Sequence, residues 1–252
     1  MNSRWIAQRL VQLGFVASVG ILWYVITARG NVSPLLLPTL GSVCHEFLVL
    51  AAAGTFWPDL GVTLYELAAA FLIASIAGTG IGYLISRSGY AIKVFDPLLA
   101  GIYAIPAILL FPLYVLYLGV GPASKIAMGA TIAFFPVVLN TTAGLHYVDR
   151  IYVTAARSMG ASSRQMFWNV MLPAAFPVVL TGLRIGLISA FLSILGTETI
   201  ASFSGLGHRI VELGENMDTA SMFAYIIFVI LISITLNSAV SVAERWGRRG
   251  QA

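Results

Sequence analysis

Six stretches of this chain run for about 20 residues with at most one charged side chain each. They are Leu10 to Ala28, Leu60 to Ser86, Pro97 to Leu118, Ala123 to Leu145, Pro173 to Leu195 and Ala220 to Val242. As helix, each is long enough to cross a hydrocarbon layer about 30 Å thick. A soluble helical bundle would instead show narrow apolar stripes backed by charged outer faces. This chain cannot supply them: 10% of its residues are charged, against about 25% in a soluble domain. With 59% hydrophobic residues and a mean hydropathy of +0.91, the expected fold is an all-α integral membrane protein of about six transmembrane helices. Its 24 glycines and 10 prolines suit that reading, because membrane helices tolerate both.

Basic residues in the connections give an expected orientation. Arg4, Arg9, Arg87, Lys93, Arg150, Arg157, Arg164, Arg245, Arg248 and Arg249 fall on one side, and only Arg29, Lys125 and Arg209 on the other. The positive-inside rule then puts both termini in the cytoplasm. The first run has the basic start of a signal peptide, but its removal would reverse this bias, so it reads as a retained anchor. The expected organisation is a first anchor with an external interfacial segment (1–58), a transmembrane domain (59–245) and a basic cytoplasmic tail (246–252). The external segment holds Pro34 and Pro38 and an amphipathic stretch from Thr39 to Ala53. The net charge of +4 reflects topology rather than nucleic-acid binding.

Several chemistries are excluded. A phosphate-binding P-loop needs Gly-Lys-Ser/Thr, and the two lysines, Lys93 and Lys125, follow Ile92 and Ser124. The histidines His45, His146 and His208 are too scattered for a metal enzyme. The single cysteine, Cys44, makes no intrachain disulfide and reads as a small packed side chain. No cofactor is expected on this chain. An ion-coupled secondary transporter is the alternative, but it should carry internal repeats with matching broken helices, and the halves show no clear repeat.

The connection from His146 to Leu172 is the most informative part. Thr154 to Met159 favours a short helix. Gly160 is placed to end it, since glycine takes the left-handed conformation without strain. Ser162 and Gln165 have capping-box spacing, which restarts a helix, and Pro173 opens the fifth span. The small Ala155 and Ala156 would let a partner's backbone approach closely, as when a short helix lies in a partner's groove.

Thr154-Ala155-Ala156, Gly160-Ala161, Leu172-Pro173-Ala174-Ala175, Pro177, Gly182-Leu183-Arg184 and Glu198 together resemble the signature region of inner-membrane permeases of binding-protein-dependent ABC importers. Ile105-Pro106, Phe111-Pro112-Leu113, Gly119-Val120-Gly121, Ser124-Lys125 and Phe134-Phe135-Pro136 fit the branch that takes up sulfonates, taurine, nitrate and pyrimidine precursors. The resemblance runs from about Leu60 to Trp246. It departs at Thr154, where the family motif usually has Glu. It implies a coupling helix that docks into an ATPase, carried here by Thr154, Ala155, Ala156, Arg157, Gly160 and Ala161. It also implies a multi-pass protein of the bacterial inner membrane, working as a homodimer with two ATP-binding cassette subunits and an external solute-binding protein. ATP and Mg would sit on the ATPase. The expected activity is import of a small anionic or polar solute by alternating access.

Polar residues inside the spans are candidates for the pathway or its gate: Tyr103, Pro106, Asn140, Arg184, Glu198 and Glu66. Arg184 lies 11 residues past Pro173, about 16 Å into the layer. A central arginine costs about 2.5–3.5 kcal/mol on insertion scales, so it must be paired, hydrated or facing a cavity. It is either a pathway residue or one half of a structural pair, for instance with Glu66. Asn140 can bond across helices. Gly78/Gly82 and Gly182/Gly186 have the spacing of close helix contacts. Tyr103, Phe111, Tyr114 and Tyr117 suggest an aromatic stripe, which more often packs than binds.

Overall fold

The structure, a computed structural model, describes residues 3–30 and 32–249; the end of the basic tail, 250–252, lies outside them. The described residues form eleven α-helices and no strand. In order they are α1 (Ser3–Ala28), α2 (Leu40–Ala53), α3 (Phe56–Ser86), α4 (Gly89–Tyr103), α5 (Phe111–Leu118), α6 (Pro122–His146), α7 (Arg150–Ser158), α8 (Ser163–Met166), α9 (Leu172–Ile200), α10 (Leu206–Glu215) and α11 (Thr219–Arg249). Five helical stretches are long and apolar enough to cross a membrane: Leu10–Ala28, Phe56–Ser86, Pro122–His146, Ser163–Ile200 and Thr219–Ser241. A sixth span results if the bent pair Gly89–Tyr103 and Ala107–Leu118 is counted as one.

That pair corrects the expectation of one continuous third span from Pro97 to Leu118. The helix begins at Gly89, where the Ser88 hydroxyl accepts the Ala91 N–H, and it absorbs Pro97 in its interior. It breaks after Tyr103 and resumes at Ala107 with a bend of 77°. Pro106 explains the break: it has no N–H to donate, and its ring disfavours helical backbone at Ile105. The fifth span also differs. It does not open at Pro173 but runs unbroken from Ser163, with Phe167–Met171 wound as a π-helix. Proline inside a helix removes one i→i−4 bond and crowds the carbonyl behind it. A widened turn directly before Pro173 accommodates both.

The chain forms two compact units. The larger comprises 60–208 and 230–252, and α6 is its central helix. Half of the α6 spanning window is buried within the chain. Both glycine pairs meet it. A Cβ at Gly78 would come within 2.8 Å of Val137, and one at Gly82 within 2.7 Å of Thr141. A Cβ at Gly182 would meet the Asn140 Cβ at 2.5 Å, and one at Gly186 the Val137 side chain at 2.8 Å. Helices α3 and α9 therefore approach α6 at backbone contact, the packing that small residues permit in a membrane.

The smaller unit comprises 1–59 and 209–229. Thr39 caps α2 by accepting the Ser42 N–H. Aromatic side chains hold the unit together: Phe228 stacks on Phe47 and Phe56 at 4.0 Å each, and Trp23 meets Phe223 edge-on at 5.2 Å. The Tyr225 hydroxyl donates to Asp59 at 3.2 Å, and the Trp23 indole N–H to the Pro38 carbonyl at 2.9 Å. None of the α1 spanning window is buried within this chain, as suits a helix facing lipid.

Candidate functional site

Between α6 and α9 the backbone makes a helix–turn–helix whose first helix is capped at both ends and whose second is capped at its start. The Asp149 carboxylate accepts the Ile151 N–H at 2.9 Å and starts α7. At the other end the Gly160 N–H donates to Arg157 O at 2.9 Å, and the Ala161 N–H to Ala156 O at 3.0 Å. With Gly160 at φ +78, this pair of bonds is a Schellman cap. Ser162 and Gln165 then close a reciprocal capping box: Gln165 N–H donates to the Ser162 hydroxyl, and Ser162 N–H to Gln165 Oε1. The sequence thus fixes both the stop and the restart within three residues.

The α7 face is apolar yet uncovered. Ile151, Tyr152 and Met159 are 71%, 59% and 82% exposed, and Ala155, one turn from Ile151, lies on the same face; Thr154 and Arg157 are exposed as well. Ala156 is 3% exposed and turns inward, so of the two alanines only Ala155 is open to a partner. The loop is also tied to α3: Phe167 meets the Tyr83 ring edge-on at 4.9 Å, Arg87 lies over that ring at 5.9 Å, and these three line a cleft with Arg157.

The polar residues inside the spans separate into distinct groups. Arg184 donates from Nε and Nη2 to Asn237 Oδ1 at 3.0 and 2.7 Å, so α11 supplies the partner that Glu66 was expected to offer. Glu66 pairs instead with Lys125, Nζ to Oε1 2.6 Å, with side-chain exposures of 0% and 1%. Lys125 is therefore not an external loop cation, as its place near the start of α6 had suggested. Its Nζ also donates to the Ser202 hydroxyl at 2.7 Å. Glu198, 1% exposed, accepts from the Thr63 hydroxyl at 2.7 Å and from the Gly207 N–H at 2.7 Å. The Thr63 oxygen in turn accepts the Leu206 N–H at 3.0 Å. Four segments meet here: α3, the start of α6, the end of α9 and the 201–207 connection, which includes the first two residues of α10.

Asn140 does not bond across helices; its Nδ2 donates to the Pro136 carbonyl of its own helix at 2.8 Å, and its Cβ fills the space opposite Gly182. The aromatic stripe is not one surface. Phe111 is 1% and Tyr117 81% exposed, Tyr103 stacks on Phe135 at 5.7 Å, and the Tyr114 hydroxyl bonds Thr131 at 2.8 Å. Pro106 marks the break after α4. Of the six pathway candidates, only Glu66 and Glu198 come together. Arg184 stands about 21 Å from Glu198 along α9, at 1.5 Å per residue. Sequence reasoning missed Lys125, Thr63, Ser202 and Asn237 as partners. For Lys125 a signal existed: a lysine within an apolar window is by default paired.

Comparison with known proteins gives this geometry its context. Residues 70–249 match the family described as binding-protein-dependent transport system inner membrane component. The taurine transport system permease protein TauC of Escherichia coli is 31% identical over 249 residues, 96% of this chain and 90% of that protein. The formylaminopyrimidine transport permease protein ThiX of Halalkalibacterium halodurans is 29% identical over 230 residues, 91% of each. An inward-facing structure of the MetNI methionine ABC transporter superposes with a TM-score of 0.65 at 18% identity, covering 78% of this chain and 98% of that one. With more than two thirds of its length inside the family match, and with the helical fold of an ABC permease, this chain belongs to the inner membrane component family of binding-protein-dependent transport systems and is an ABC importer permease.

Proposed function

We propose that two copies of this chain form the membrane pathway of a bacterial inner-membrane importer, with two ATPase subunits on the cytoplasmic face and a solute-binding protein outside. The α7–Gly160–α8 element is the docking point. Its exposed apolar face, on a helix capped at both ends and tied to α3 through Phe167 and Tyr83, is the observation that supports this most. ATP and Mg belong to the partner subunits. The solute is a small anion or zwitterion of the sulfonate class, by analogy with the taurine permease.

Transport follows from differential binding. The ATPase pair, closed on ATP, must hold one permease state more tightly than the other, or nothing moves. Driving the pathway from 1:99 to 99:1 takes about 5.5 kcal/mol of that difference. A rigid, capped lever delivers it; a frayed loop would dissipate it.

The test is co-purification of the tagged chain with its ATPase in detergent, followed by ATP-driven taurine uptake in proteoliposomes with the binding protein. The chain should recover the ATPase, and Ala155→Glu should release it. Gly160→Val places a β-branched residue at positive φ, at a cost of about 1–2 kcal/mol; it should insert normally and lose uptake at least tenfold. Equal ATPase recovery and normal uptake by both variants would refute this docking assignment.

A further inference from the structure

We infer that the Glu66–Lys125–Glu198 cluster binds one exchangeable proton, shared between the two carboxyl groups, and that this proton latches the 201–207 connection to the end of α9. Two carboxylates and one ammonium lie together, at side-chain exposures of 0%, 1% and 1%. Fully ionised, they leave one uncompensated negative charge away from water, which proteins avoid by pairing or neutralising the group.

Hydrogen bonds point the same way. Both Glu198 oxygens have donors, Thr63 and Gly207. Lys125 supplies one side of Glu66, and the remaining oxygen, Glu66 Oε2, is buried without a donor. The Glu198 carboxyl lies beside it: its Oε1 accepts from Thr63, one turn before Glu66 on α3. Two carboxylates offer only acceptors to each other; one proton turns the contact into a hydrogen bond and balances the cluster. Lys125 and Glu198 are the charged groups facing Glu66, from α6 and α9, and α3 adds the neutral Thr63. A lone proton satisfies the site with no further ligand.

The consequence falls on the connection. Glu198 holds Gly207 directly and Leu206 through Thr63, and Lys125 holds Ser202. Gly205, at φ +106, packs so closely that a Cβ would overlap the Glu198 carboxyl, and a Cβ at Gly207 would lie 2.5 Å from Leu195 O. Opening the connection admits water, and the carboxyl then gives its proton to solvent. Closed and protonated is thus linked to acid, open and ionised to alkali.

The experiment uses the full chain in detergent, with Cys44 replaced by Ser and a reporter cysteine at Phe203, which is 80% exposed. Maleimide labelling of a cysteine in place of Phe203 reads the backbone's opening poorly on its own, so a second reporter replaces buried Leu206. Its labelling rate should rise about tenfold per pH unit over the range where closed and open forms differ by one proton. Glu66→Gln, an isostere of the protonated acid, should flatten that profile while Phe203 labelling changes only with thiol ionisation. Infrared spectra should show a deuterium-sensitive carboxylic C=O band that Glu66→Gln or Glu198→Gln removes. A native profile no steeper than the Phe203 reference, or a carboxylic band that survives both replacements, would overturn the inference.

Discussion

Lys125 and Glu66 meet at 2.6 Å with almost nothing of either side chain reaching solvent. At such a site the loss of one partner matters more than the worth of the pair, because the survivor keeps its desolvation cost. Lys125→Met should therefore destabilise the chain by about 3 kcal/mol or more, read as a lowered midpoint of unfolding in detergent. A double-mutant cycle with Glu198→Gln should return a coupling of at least about 1 kcal/mol, since contacting groups in one network are not additive. Strictly additive losses would place the two residues in separate networks. This site was only half legible in the sequence. Glu66 and Glu198 stand out as acids in apolar runs, but they are 132 positions apart, and only the packing of α3 and α9 on either side of α6 joins them. Arg184 shows the same limit: its depth demands a partner, yet nothing in the chain's pattern selects Asn237 over Glu66.

At the scale of helices, local chemistry was the more readable layer. Gly160, Ser162 and Gln165 fix the turn between α7 and α8 by contacts within a few residues, so spacing alone foretold them. The bend at Pro106 and the π-turn before Pro173 were not foretold, because proline states that a hydrogen bond is missing and not how the helix absorbs the loss. Glycine spacing foretold close contacts but not their partner, α6. That partner makes opposite outcomes predictable for one substitution. Gly182→Ala should cost about 1–3 kcal/mol by overpacking against Asn140. Gly20→Ala, with nothing within 4 Å of its Cβ, should be neutral or stabilising by up to about 1 kcal/mol, the helix preference of alanine over glycine. Thermal unfolding of both variants in the same detergent checks the contrast; equal effects would mean that α6 and α9 do not pack at backbone contact.

For the whole molecule, the question is what drives the solute. An ion-coupled carrier would need its own binding and coupling groups for the ion. Here Lys125 is bound to Glu66 and Ser202, and Arg184 to Asn237; the one exchangeable ion inferred, the proton on Glu66 and Glu198, is assigned to the 201–207 segment and not to the solute. Between the spans, an exposed apolar face is offered by α7 and its cap, where Ile151, Tyr152 and Met159 stand open. Under the docking proposed above, energy enters through that face from an ATPase pair that changes shape. Uptake by proteoliposomes containing the assembled importer should therefore stop when ATP is withdrawn from the ATPase side. It should stay within about twofold when ionophores collapse the proton and sodium gradients, because a gradient that does no work is worth no driving free energy. Glu66→Gln tests whether the buried proton is cargo or structure: if it only latches the 201–207 connection, uptake by this variant remains ATP-dependent and gradient-independent. Uptake that persists without ATP and disappears with the gradient would make the α7 face irrelevant to transport.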